Sequence, residues 1–289
     1  MIQCFMDEKY EDHFENGLPK LLSASKTEPE FGVHHPRVMH SHSDFIEFYF
    51  VRNGSGVYIV DGKRYPIKKG DIVVCNCGVL HDEDATNSEE ISSYSCAIGR
   101  LKLKGLPDNC AIPADSSPII PTNELYDSFH SLLNMMHTLL ASDVKGVEET
   151  CHYLAAAFVA LFVQTWNANR QHTAGGIKTG SELLAARIKQ FIDTRYDEPI
   201  TLQMIADALG ASPYYLSHVF KDMTGYSPMQ YATRRRIGEA QSLLIYTSMP
   251  VTYIAARVGY SNQSHFNSLF SKYVGMSPTQ FRKEYAKKR

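Results

Sequence analysis

The chain has 289 residues, enough for two domains with cores of their own, and a formal net charge of −2. The start, Met1 to Phe14, has neither a basic n-region nor an apolar h-region, and the longest apolar run, Leu154–Val163, is too short to cross a bilayer, so a secreted or membrane-inserted protein is not expected. Charge divides along the chain: residues 1–177 carry 14 Lys+Arg against 23 Asp+Glu, and residues 178–289 carry 15 against 8. A basic C-terminal block suits a polyanion partner, and an acidic N-terminal block does not.

Residues 1–30 are polar and mixed and read as one short helix with a loop. From Val38 to about Leu103 the texture is β. Phe45–Val51 and Gly56–Val60 are aromatic or β-branched runs, and Asp61-Gly62 supplies a tight hairpin turn. Tyr65–Ile67, Asp71–Cys75 and Ile91–Ile98 continue the series, which indicates an antiparallel sandwich or barrel. The six cysteines are scattered without a CxxC pair and read as reduced thiols of a cytoplasmic protein, with Cys75 and Cys77 on one face of a strand. Two helices follow, Asn123–Ala141 and Val147–Asn167. The second is apolar around most of its circumference, which is expected to serve a homodimer contact. Gln171–Gly180 has three glycines and no apolar periodicity and reads as a linker; helical patterning resumes with Ser181 as N-cap.

The remainder repeats itself. Ile205–Gly210 (IADALG) and Ser212–Tyr231 return as Ile254–Gly259 (IAARVG) and Asn262–Phe281, offset by 49 residues up to the glycine and 50 beyond it. Each copy has a short supporting helix ended by glycine, then a capped second helix. In the first copy Leu216, Val219 and Phe220 point inward, leaving Tyr214, Tyr215, Ser217, His218 and Lys221 outside. In the second, Phe266, Leu269 and Phe270 anchor the helix, with Gln263, Ser264, His265, Asn267, Ser268 and Lys272 outside. These outward residues suit base edges and phosphates. Between the copies, Ser227–Tyr246 reads as one continuous helix, a rod that spaces the two readers about one DNA turn apart. It carries Arg234, Arg235 and Arg236, of which one is expected to be structural and the others, Arg234 and Arg235 foremost, to meet phosphate.

From about Leu183 to Arg282 the chain resembles the AraC-type transcription regulators. The match is carried by Ile188, Phe191 and Ile192, by YLSxxFK and GxSPxxY, by Arg236–Leu244, and by the closing VGYxxxSHF and GxSPxxFR segments. The resemblance implies that both second helices enter adjacent major grooves. His218 and Ser268 stand where family members often carry arginine.

The β half resembles the two cupin motifs: His40-Ser-His42, four residues, Glu47, six residues, Gly54; then Gly70, five residues, Asn76-Cys77-Gly78, two residues, His81, with Asn76 where proline is usual. His40 and His42 share a strand face, and a bend near Ser43-Asp44 must turn Glu47 inward to join them. Three imidazoles and a carboxylate suit a divalent transition metal. The same positions also suit a metal-free pocket for a small molecule such as a sugar, with Tyr49 and Tyr58 lining it, or plain structural hydrogen bonding. The expected architecture is therefore α+β and multidomain: a cupin-like antiparallel β-barrel with two helices for effector sensing and dimerisation (1–170), a linker (171–180), and an all-α double helix-turn-helix domain (181–289). The expected function is sequence-specific DNA-binding regulation of transcription under a small-molecule effector, a carbohydrate being the expected class, by a non-enzymatic homodimer that contacts RNA polymerase if it activates. The rival is a metal-dependent cupin enzyme with an accessory DNA-binding domain.

Overall fold

The computed structural model describes residues 13–15, 17–29, 38–169 and 180–285. Strands β1 (Lys20–Thr27), β2 (Phe45–Val60), β3 (Lys63–Lys68), β4 (Asp71–Cys75), β5 (His81–Gly99) and β6 (Ile119–Pro121) form one antiparallel sheet in the order β1-β5-β2-β4-β6, with β3 paired to β2. The sheet is held by two unusually long strands. Phe45–Val51 and Gly56–Val60, read as separate strands, are one 16-residue β2, whose pairing with β5 shifts register between Val51 and Val57. Asp61 and Gly62 make the β2–β3 turn with φ of 52° and 78°.

Two expectations are corrected. Within the supposed helix-and-loop region lies the edge strand β1, which pairs with β5 and buries Leu21; an edge strand with one solvated face needs few apolar residues, so its polar texture concealed it. Cys77 lies beyond the end of β4: Cys75 is buried, while Cys77 is half-buried and its thiol donates to Ser43 O at 3.0 Å. Asn76, in place of the usual proline, ties down a loop by donating to Ile112 O (2.7 Å) and accepting from Ala111 N (3.0 Å).

One face of the sheet is covered by α1 (Tyr126–Leu140), entered through a 3-10 turn at Asn123–Leu125, and by α2 (Val147–Asn169). Ile46, Phe48 and Phe50 alternate out of β2 onto this layer, where Phe48 meets Phe158 and Phe162 edge-on at 5.1 Å. The apolar circumference of α2 is thus used within its own subunit: Cys151, Ala155, Phe158, Val159, Phe162 and Trp166 are all buried. The dimer contact expected of this helix is not needed to explain its composition. The other parity of the strands fills the barrel interior with Tyr49, Val51, Tyr58, Val60, Val73, Cys75 and Ile91.

The linker Gln171–Gly180 lies outside the described residues except for Gly180, at which α3 (Gly180–Arg195) begins, so Ser181 stands inside the helix and not before it. Then follow α4 (Leu202–Leu209), α5 (Pro213–Thr224), α6 (Pro228–Tyr246), α7 (Val251–Arg257), α8 (Gln263–Val274) and α9 (Pro278–Tyr285). One core, centred on Ile188, Ile205, Phe220, Tyr231, Ile237, Ile254, Phe266 and Phe270, serves both copies of the repeat. Val38, Met39 and Leu80 of the β domain are buried in that same core.

Candidate DNA-reading face and buried histidine centre

The two readers are built alike because their local signals are alike. Thr201 caps α4 by accepting from Met204 N, and Ser212 caps α5 by accepting from Tyr215 N with Pro213 behind it. The turn glycine of each copy, Gly210 or Gly259, takes a left-handed φ of 65° or 88°, and at Gly259 a Cβ would also come within 2.7 Å of Asp197 O. Asn262 caps α8 by accepting from His265 N. Leu216, Phe220, Phe266 and Phe270 are fully buried, with Val219 and Leu269 half-buried. Their opposite faces stand in solvent. Tyr214, Tyr215, His218 and Lys221 on α5 and Gln263, Ser264, His265, Ser268 and Lys272 on α8 are exposed; Ser217 and Asn267 are half-buried. Tyr214 is 77% exposed and stacks on His218 at 5.3 Å. The rod between the readers is α6, 19 residues with a full capping box between Ser227 and Gln230.

The arginines of α6 depart from expectation, since all three are engaged within the molecule. Arg234 makes an ion pair with Asp82 of β5, its Nε at 2.9 Å and Nη2 at 2.5 Å from Asp82 Oδ2, beside the rings of Tyr226 and Tyr273. Arg235 pairs with Glu239 at 3.0 Å and lies over Tyr196 at 4.2 Å. Arg236 holds the carbonyls of Tyr196 and Glu198. The phosphate contacts expected of Arg234 and Arg235 therefore require these pairs to open.

In the β domain the four expected residues converge. A bend at Ser43-Asp44 separates His42 from β2 and turns Glu47 inward. One ligand atom from each of His40, His42, Glu47 and His81 lies within 4.8 Å of the others. His42 Nε2 is 2.9 Å from Glu47 Oε2, and His81 Nε2 is 3.7 Å from the same oxygen. His40 and His81 face each other across an isolated antiparallel bridge, N to O at 3.0 and 2.9 Å. Their Nδ1 atoms lie 3.1 Å from Val38 O and 2.9 Å from Val79 O, contacts that fix the rings and direct both Nε2 atoms at the centre.

Burial by itself pushes the Glu47 carboxyl up, but hydrogen bonds from His42 and His81 outweigh it and hold the group well below its ordinary value. Burial pulls His81 down, yet the neighbouring Cys75 thiol and Glu47 carry it well above the ordinary histidine value. The donor set, three nitrogens and one oxygen in a buried site with pre-aimed rings, fits a divalent transition metal ion. Tyr49 and Tyr58 are buried beside the centre and tilted against each other at 4.9 Å. Tyr49 OH donates to Glu83 Oε2 at 3.2 Å, and burial raises Glu83 to about 7.

Sequence reasoning missed Cys75, Asp82 and Glu83. Strand parity could have found them: Glu83 shares the parity of His81 and faces inward, and Asp82 must face out. Asp82 is buried all the same, pushed up to about 6 by that burial although Arg234 pulls the other way.

Two capped helix-turn-helix units on one rigid helix, joined to a barrel with an internal donor set, define a two-domain DNA-binding regulator of transcription. Residues 205–284 match a helix-turn-helix domain family and residues 30–94 a cupin domain family. The chain is 26% identical over 288 residues to the uncharacterized HTH-type transcriptional regulator YdiP of Escherichia coli (strain K12), covering 96% of this chain and 93% of that protein. It is 26% identical over 246 residues to the HTH-type transcriptional activator RhaS of Enterobacter sp. (strain 638), covering 83% and 86%. Among solved structures, the C-terminal domain of the response regulator AraT from Geobacillus stearothermophilus is 34% identical, covering 37% of this chain and 90% of that one, with TM-score 0.36. An AraC-type DNA-binding domain protein from Chromobacterium violaceum is 26% identical, covering 39% and 100%, with TM-score 0.35. The chain is thus similar to AraC-type transcription regulators through its helix-turn-helix half, and it is a DNA-binding regulator of transcription. No helix among the described residues is long and apolar enough to cross a membrane.

Proposed function

We propose that this regulator reads its effector at His40, His42, Glu47 and His81, and that the effector is a divalent transition metal ion, alone or carrying a small oxygen-donor ligand. The observation that carries this reading is the convergence of four donor atoms within 4.8 Å, beside two buried tyrosines tilted against each other. An ion held there would supply a fixed positive charge beside the Glu47 carboxylate. The sites at Tyr214, Tyr215, His218 and Lys221 and at Gln263, Ser264, His265, Asn267, Ser268 and Lys272 meet two successive major grooves, and Ser217 supports the first of these faces. The domains run 1–170 and 181–289, with 171–180 between them.

Activation of transcription in the cytoplasm, self-association and contact with RNA polymerase belong to the same reading. It is supported by the name of one relative, an activator, and by the double reader. The test is metal analysis of the purified full chain after exchange against Zn2+, Ni2+ and Mn2+. About one ion per chain in the native protein, and none in a His42→Ala/His81→Ala variant, is the expected result. No stoichiometric ion in the native protein, together with saturable binding of a monosaccharide, overturns the metal in favour of a carbohydrate.

A further inference from the structure

Two thiols meet beside the histidine centre. Cys77 stands in the loop between β4 and β5, and Cys110 in the loop between β5 and β6. Both are half-buried, whereas Cys75, Cys96 and Cys151 are buried. Three hydrogen bonds lay one loop along the other. Cys77 N donates to Asn109 O at 3.0 Å, Ala111 N donates to Asn76 Oδ1 at 3.0 Å, and Asn76 Nδ2 donates to Ile112 O at 2.7 Å. Cys110 is thus held between two neighbours that are both tied to the Cys77 loop. The Cys77–Asn109 contact and the fixed lengths of the backbone keep the Cα atoms of Cys77 and Cys110 within about 7 Å, and disulfides span roughly 4.4–6.8 Å.

The same loops hold a donor of the centre. Gly78 N donates to His42 O at 2.7 Å, and the Cys77 thiol donates to Ser43 O at 3.0 Å. From the other loop, Asn109 Nδ2 donates to Asp44 O at 2.9 Å. The bend that aims His42 at Glu47 therefore hangs on these contacts.

We propose that Cys77 and Cys110 are a redox-active pair: a low-molecular-weight disulfide converts them to a cystine, and the cystine weakens the hold on His42. The oxidation stands on the two loops alone; its consequence for the ion rests on the centre being the effector site. Cys110 attacks first. Burial and the nearby Cys77 push its thiol up, but a hydrogen bond from the Cys77 backbone pulls it back, while burial and Asp44 both push Cys77 up. As thiolate, Cys110 attacks the small disulfide and expels one thiolate; Cys77 then attacks the Cys110 sulfur and expels the second. Two protein S–H bonds and one small S–S bond become one protein S–S bond and two free thiols, which carry off both protons. Little thiolate is present at neutral pH, so the pair follows the standing thiol–disulfide balance and not a burst of peroxide. In the cystine, Cys77 has no hydrogen to give to Ser43 O, and the bend loses one of the bonds that fix it.

The experiment uses the full chain, equilibrated in glutathione buffers from fully reduced to fully oxidised. One portion is alkylated in denaturant and digested; the other is freed of glutathione and titrated with Zn2+ by equilibrium dialysis. Expected is a Cys77–Cys110 linked peptide that excess reductant reverses, with the cysteines elsewhere alkylated. Zn2+ affinity should fall by about 10-fold on oxidation, the effect of losing a contact behind a ligand. In Cys110→Ser the linked peptide is absent, and Zn2+ affinity stays at the value of the reduced native chain in both buffers. If the oxidised native chain carries no linked peptide, or only mixed disulfides at these positions, the pair is overturned. A linked peptide with unchanged Zn2+ affinity overturns the hold on His42. If the reduced native chain takes up no Zn2+, the site reading fails and the linked peptide alone decides the pair.

Discussion

Tyr214 and Gln263 stand clear of the domain on the first turns of α5 and α8, where a recognition helix meets base edges. Replacing either with alanine is expected to cost about 1–3 kcal/mol on the preferred duplex and to relax preference at one position, with little change in salt slope. Competition binding against single-base variants measures it. Arg235 has a different fate. Its guanidinium is committed to Glu239 and the face of Tyr196, so Arg235→Ala is expected to lower stability and leave the salt slope alone. A fall of the slope by a full unit would return it to the phosphate contacts. Within the barrel, Glu47→Gln keeps the shape of the side chain and removes the only carboxylate of the donor set. Metal affinity should fall by at least ~10-fold with the fold retained, as read by equilibrium dialysis and circular dichroism.

The element on which the readers depend is α6. At 19 residues it spans ~28 Å, close to the roughly 34 Å between successive windings of a major groove. Its start is secured by the reciprocal Ser227–Gln230 box and by Pro228 at its first position. Ser227→Ala should cost about 1 kcal/mol of unfolding free energy, visible as a lower urea midpoint at unchanged m-value. Its middle is fixed from both sides, by the Ile237–Ala240–Leu244 stripe in the helical core and by Met39 and Asp82 of the β domain. The capping signals of α4, α5, α6 and α8 were all legible in the sequence, because a cap is a contact between residues three apart. The β1 and β6 strands were not legible: strands at a sheet's margin bury few side chains, here one each, and take their hydrogen bonds from distant partners.

Across the whole molecule, a stiff rod joining two readers sets the phase of the site that can be bound. Inserting five base pairs between the two half-sites turns one groove to the far side of the duplex and is expected to bring binding down to the level of random DNA; inserting a full turn fails as well, because the rod does not stretch. Gel-shift titration with the spacer series decides this, and tight binding at a half-turn insertion would mean the two units read independently. The same rod is where the β domain docks, so the acidic half of the chain sits on a helix of the basic half through Asp82 with Arg234 and Asp61 with Lys189.

What the sequence determined by itself is whatever repeats or recurs at short range: the duplicated helix-turn-helix with its glycines and caps, the solvent-facing sides of α5 and α8, and the spacing of His40, His42, Glu47 and His81. Each rests on contacts a few residues long or on strand and helix periodicity. Only the tertiary structure decided that α2 is buried in its own subunit, that the barrel interior is filled by Tyr49 and Tyr58, and that Arg234 is paired inward. The placing of α2 and the pairing of Arg234 depend on partners 48 to 152 residues away in the chain, as Asn169 is from Pro121 and Arg234 from Asp82. A charged side chain carries no local mark of whether its counter-ion will be a phosphate or a buried carboxylate; which one it meets is fixed when two domains close on each other.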